Sequence, residues 1–132
     1  KVISEQSVVV IGDRVRLEQV LINLLRNAVD AVKSVPDPVI EIMLSRGETV
    51  TLSVRDNGSG IEELDLLFEP FHTTKKDGDG VGLGLAISSG IVKDHGGRLT
   101  ARNSDEGGAV FEVQLPAFRE NTLDYDHMEV AE

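Results

Sequence analysis

The chain contains no cysteine, which excludes disulfides and thiolate metal sites and is compatible with a reducing cytoplasm. Its three histidines, His72, His95 and His127, are scattered, so they form no zinc-type cluster. No window approaches the ~18 consecutive apolar residues of a membrane-spanning helix, and the first residues do not resemble a signal peptide. The chain is therefore expected to be soluble. Positive charge is scarce as well: 13 Lys and Arg stand against 23 Asp and Glu, a net −10. Nucleic acids and membrane surfaces present anionic groups to their binders, so this balance argues against either as a general partner; a polyanion would need a local basic pocket. What remains is 132 residues, enough for one domain with a core of ordinary size and too few for two.

Periodicity supplies the elements. In DRVRLEQVLINLLRNAVDAVKS (13–34), Leu17, Val20, Leu21, Leu24, Leu25, Ala28 and Val32 recur at helical spacing, which predicts an amphipathic helix with Asp13 as its N-cap. The β-branched run SVVVI at 7–11 reads as a short strand before it, and Pro36-Asp37-Pro38 ends the helix. VIEIMLS (39–45) and TVTLSVRD (49–56) alternate at period 2 about Arg46-Gly47-Glu48, as a hairpin does. A short helix is expected over 60–67 and a longer one from Leu83 to His95, closed by Gly96-Gly97. RLTARNS (98–104) and AVFEVQL (109–115) give a second hairpin, and Pro116 closes the ordered part. The expected fold is α+β: a two-layer sandwich with one mixed, five-stranded sheet covered on one face by about three helices. Residues 117–132, with five acidic residues against one Arg, read as a mobile or partner-dependent tail.

Three features break this pattern. Asn23, Asn27 and Asp30 form a polar stripe beside the apolar face of the first helix, although Asn and Asp each cost roughly 0.5 kcal/mol there relative to Ala. The stripe is either a solvated face or a ligand face, since amide oxygens suit a hard cation such as Mg2+ that also bridges to phosphates. Asp56 falls on the inward face of its strand, with Val50, Leu52 and Val54. A carboxylate so placed must find donors, either by capping the Asn57-Gly58-Ser59-Gly60 turn or by taking a hydrogen bond from an exocyclic amine such as that of adenine. Finally, Gly80, Gly82 and Gly84 lead into LAISSGIVKDH, downstream of Thr73, Thr74, Lys75 and Lys76. Open backbone N–H groups at a helix start make an anion site, yet the spacing is neither a Walker A motif nor a G-x-G-x-x-G after a strand, and a flexible connector reads equally well.

Together these stretches are far more specific. NLLRNAVDA, DNGSG, FEPFHTTK and GVGLGLAIS, in that order, resemble the N, G1, F and G2 boxes of the ATP-binding domain of sensor histidine kinases, within the superfamily that includes gyrase, Hsp90 and MutL ATPases. The resemblance runs from about Gly12 to Pro116 and implies the Bergerat-type sandwich, with 1–116 as the catalytic domain. It implies ATP and Mg2+ as cofactors, with Asn27 on the metal and Asn23 helping to place metal and phosphates, Asp30 lying near the same face. By the same resemblance Asp56 binds the adenine amine, and Gly58 and Gly60 let the base lie close. Residues 68–82 become an ATP lid carrying Thr73, Thr74 and Lys75 toward the phosphates, and Gly80, Gly82, Leu83 and Gly84 meet the triphosphate.

The residue four before the metal-binding asparagine separates the branches of this superfamily. Gyrase-like ATPases carry there a Glu that activates water; here it is Asn23, whose amide is no general base. The resemblance therefore implies slow hydrolysis and a γ-phosphoryl kept for a histidine on a separate dimerisation domain, then for a response regulator. No phosphoacceptor box occurs in the chain, and His72 and His95 read as local features. A nucleotide-dependent interaction module and a gyrase-like ATPase fragment are the alternatives. Asp30-Ala31 stands where many kinases have Lys-Tyr or Lys-Phe, and Ala109 where a threonine is common. With FEPFHTTK, Asp-Ala is typical of the nitrogen-regulation and C4-dicarboxylate sensor kinases, the DctB-like type above all. A cytoplasmic location, a monomeric isolated domain and a homodimeric whole kinase are expected.

Overall fold

The computed structural model describes residues 2–4, 9–70 and 83–118. Its elements, in chain order, are β1 (Val2–Ser4), α1 (Arg14–Ala31), β2 (Ile40–Arg46), β3 (Thr49–Asp56), a 3-10 turn (Leu64–Leu66), α2 (Gly84–Asp94), β4 (Arg98–Asn103) and β5 (Ala109–Pro116). The strands lie in the order β1-β2-β3-β5-β4. From β2 to β4 every pairing is antiparallel, and β1 joins the outer edge of β2 in parallel.

Register decides which side chains meet the helices. Ile42 stands opposite Val54, Val54 opposite Phe111, and Phe111 opposite Ala101, so one apolar row crosses the sheet. Val20, Leu24 and Ala28 of α1 and Ile91 and Val92 of α2 close onto that row, with Leu99, Ala109 and Val113, to make the core. Leu24 and Val92 are wholly buried, each contributing roughly 1.5–3 kcal/mol of apolar transfer. The opposite face is polar: Arg55 pairs with Glu106 at 3.2 Å and lies 3.9 Å from Glu41.

The helix ends follow their sequence signals. The Asp13 side chain accepts from the Arg16 N–H, as an N-cap should. Gly96, at φ 74°, closes α2 through Gly96 N–H to Lys93 O and Gly97 N–H to Val92 O, the paired bonds of a Schellman motif. Leu83, by contrast, begins α2 without any side-chain cap.

Three expectations are corrected. The first strand lies at 2–4; of the strand expected at 7–11, residues 7 and 8 lie outside the described residues, while 9–11 join no ladder and the Val9 carbonyl accepts from Phe118 N–H. The helix expected over 60–67 shrinks to the Leu64–Leu66 turn, because Glu63 gives no side-chain cap and Leu64 and Leu66 stay exposed, leaving no buried stripe to sustain more turns. Two α-helices and this turn therefore stand where about three helices were expected. α1 ends at Ala31, three residues early, its last turn passing into the 32–34 turn.

Candidate functional site

The polar stripe of α1, the end of β3 and the start of α2 converge at one end of the sandwich. Asp56 terminates β3 with 3% of its surface exposed. Its Oδ1 accepts from Gly58 N–H at 2.9 Å and, weakly, from Ala109 N–H at 3.4 Å. The turn-capping and ligand readings thus divide between the two oxygens: Oδ1 caps the turn, and among the described residues nothing donates to Oδ2. An ionised carboxylate has lone pairs to spare on both oxygens, so the site offers an unmatched acceptor at the edge of the core.

The DNGSG loop is held close by backbone. A Cβ on Gly58 would run into the Ala31 carbonyl, so the loop packs directly on the end of α1. Gly60 adopts φ 87° and Gly108 the same value, and a Cβ on Gly108 would strike the Asp56 carbonyl. Asn57 donates to Asp37 O and accepts from Val39 N–H, both at 2.8 Å, tying the loop to the start of β2. Asn103 accepts from Ile61 N–H at 2.6 Å and donates to Ile61 O at 3.0 Å, holding the far side. Sequence reasoning passed over Asn57, Asn103 and Gly108. Asn57 had a signal only as the polar residue of the Asn-Gly pair, and its long-range bonds to Asp37 and Val39 had none; Asn103 is named only by the strand pairing that brings it to Ile61.

The stripe on α1 is half-buried along its length, not solvated. The Asn23 amide donates to Gly84 O at 3.2 Å and to Ser88 Oγ at 3.0 Å, and accepts from Gln19 at 3.1 Å. Asn27, one turn on, has no hydrogen-bond partner among the described residues. Asp30 pairs with Lys33 at 3.2 Å. Leu83 and Gly84 stand where α2 begins beside Asn23, its first N–H groups without a side-chain cap among the described residues. Thr73, Thr74, Lys75, Gly80, Gly82 and His72 lie outside the described residues, as does the expected lid beyond Pro70.

His95 is a local feature of the opposite end: its Nε2 accepts from Asp13 N–H at 2.9 Å while Nδ1 meets Ile91 O at 2.7 Å. At that end too lies a cavity of about 390 Å3, lined by Val10, Leu17, Leu21, Val50, Leu52 and Leu115 among others. Its charged lining residues, Arg14 and Glu18, pair with each other at 2.9 Å, so no convergent polar groups point to chemistry there. Among the described residues, no three His, Asp or Glu side chains gather to hold a metal, and no helix is long and apolar enough to cross a membrane.

The pattern described as histidine kinase-, DNA gyrase B- and HSP90-like ATPase matches residues 12–119, and the chain belongs to that family. The two-component sensor PprA of Pseudomonas aeruginosa is 47% identical over 119 residues, 84% of this chain and 13% of that protein. The C4-dicarboxylate transport sensor protein DctB of Rhizobium meliloti is 45% identical over 108 residues, 80% of this chain and 17% of its own. The chain thus spans less than a fifth of either relative. Among solved structures, the nucleotide-free catalytic domain of histidine kinase ThkA is 34% identical with a TM-score of 0.77, over 87% of this chain and 76% of that one. The mycobacterial sensor histidine kinase MprB follows at 30% identity and a TM-score of 0.74, covering 90% and 84%.

Proposed function

We propose that the chain binds Mg-ATP at the end formed by Asn27, Asp56 and Gly84, and donates the γ-phosphoryl group to a histidine on a separate dimerisation domain, for onward transfer to a response regulator. The observation that carries this reading is Asp56: a carboxylate 3% exposed, tied through Oδ1 and, among the described residues, unmatched at Oδ2, fits an exocyclic amine. The residues also fit a bound cation. Asn27 is half-buried, and among the described residues its side-chain amide has no partner, so its oxygen is the kind of hard donor Mg2+ takes alongside water and phosphate. When bound, that ion would neutralise phosphate charge. Asn27 would hold it, and the uncapped N–H groups at the start of α2 would face the phosphates. Asn23 brings no base, so this end positions the phosphates and spares them from water.

In this reading Thr73, Thr74, Lys75, Gly80 and Gly82 belong to a lid over 68–82. The whole kinase would be a homodimer whose catalytic portion works in the cytoplasm. Incubation of the domain with γ-labelled ATP and a separately supplied dimerisation domain should give acid-labile, base-stable phosphate on that partner. Tight ATP binding without transfer would defeat the kinase reading and leave a nucleotide-dependent interaction module. Rapid release of inorganic phosphate without a partner would instead mark a gyrase-like ATPase.

A further inference from the structure

Asn23 makes three side-chain hydrogen bonds. Its Nδ2 lies 3.2 Å from Gly84 O and 3.0 Å from Ser88 Oγ, and its Oδ1 lies 3.1 Å from Gln19 Nε2. A backbone carbonyl has no proton to give, so contact with Gly84 O requires the nitrogen of the amide to face α2. The opposite rotation would press Oδ1 against Gly84 O, acceptor against acceptor. Ser88 is wholly buried, one of only two buried polar or charged side chains among the described residues. A hydroxyl in that place must be matched, and Asn23 matches it across the helix interface. Gln19, one turn before Asn23 on α1, closes the arrangement from the other side.

We infer that Ser88 and Gln19 are positioning residues that fix the rotation of the Asn23 amide, presenting its oxygen and not its nitrogen to the cation-binding side of α1. This inference rests on the Mg-ATP reading above. Both Nδ2 protons are spent, one on Gly84 and one on Ser88, so Asn23 has no donor left for a phosphate oxygen. Its Oδ1 has two lone pairs, of which Gln19 uses one. Among the described residues nothing takes the other, which is left for a cation or one of its water ligands, a turn before Asn27. Asn23 therefore serves as an acceptor only, and its contribution belongs to the metal-dependent part of nucleotide affinity.

The test is calorimetric titration of ATP, with excess Mg2+ and separately with EDTA, into the unmodified chain and into Ser88→Ala, Gln19→Met and Asn23→Ala. Side-chain NH2 resonances of Asn23 are followed in parallel by 15N NMR. Ser88→Ala should lower Mg-ATP affinity about threefold to tenfold, the worth of one neutral hydrogen bond, and leave metal-free affinity within about twofold. It should also shift the Asn23 NH2 pair and speed its exchange with water, and Gln19→Met should act in the same direction more weakly. Equal losses with and without Mg2+ would overturn the proposal, because Ser88 would then only pack α2. If Ser88→Ala and Gln19→Met leave Mg-ATP affinity unchanged while Asn23→Ala lowers it, the positioning role fails and the Mg-ATP reading stands. If Asn23→Ala itself has no effect on Mg-ATP affinity, the assignment of Asn23 to the metal side fails, and the proposal with it.

Discussion

Replacing Asp56 by Asn removes a charge and one acceptor while keeping shape, and it separates the carboxylate's two tasks. The Asn oxygen can still accept from Gly58 N–H, now at 2.9 Å, so the DNGSG turn should keep its cap. At the position of Oδ2 the variant presents an NH2, a donor facing the donor amine of adenine. A hydrogen bond to a charged group contributes about 1.5–3 kcal/mol, so ATP affinity should fall roughly tenfold to 150-fold. Guanine carries a carbonyl at the corresponding edge, so the variant should gain GTP affinity relative to ATP. Asp56→Ala strands the Gly58 and Ala109 N–H groups too and should cost roughly 1–3 kcal/mol of stability in addition. Calorimetric titration with ATP and GTP, beside thermal unfolding followed by circular dichroism, measures both tasks. An Asn variant that binds ATP as the unmodified chain does, with an unchanged preference over GTP, would refute the assignment of Oδ2 to the base.

Further substitutions probe the surroundings. Asn27→Ala should abolish the gain in ATP affinity that Mg2+ confers while leaving the melting temperature nearly unchanged, which titration with and without the metal would reveal. Gly58→Ala drives a methyl into the Ala31 carbonyl and should destabilise by about 1–3 kcal/mol, read from urea unfolding. Asn103→Ala frees both polar groups of Ile61, and nucleotide affinity should fall severalfold, because the loop beside Asp56 loses its far anchor. Leu24→Ala opens a cavity where no surface is exposed and should cost about 2–5 kcal/mol in the same unfolding assay, without altering ATP affinity of the folded fraction.

The strongly periodic elements were legible because burial on one face imposes a period. Val50, Leu52, Val54 and Asp56 share a face of β3 by alternation, and Leu17 to Ala28 share a stripe on α1 by the 3.6-residue turn. The weak points were short segments. An apolar run such as SVVVI satisfies a strand pattern without saying whether a neighbouring edge is vacant, and here β2 pairs with 2–4 instead. GIEELDLL has helix-forming residues, but only Ile61 and Leu67 at its ends pack on the core while Leu64 and Leu66 stay exposed, so propensity alone did not hold more than one turn.

The sequence by itself determined α1, the two hairpins and α2 in their order, the inward placement of Asp56, the polar stripe on α1 and the resemblance carried by four ordered motifs. Each is set by local periodicity or by residues adjacent in the chain. Tertiary structure alone decided which atoms of those residues are spent. Asp56 Oδ1 is taken by its own turn, leaving Oδ2 unmatched among the described residues, and Asn23 is bonded to Gly84 and Ser88, more than sixty residues away. Asn103 reaches Ile61 across the site. Hydrogen-bond matching depends on distances between elements remote in sequence, and only the packing of α1, α2 and the sheet fixes those.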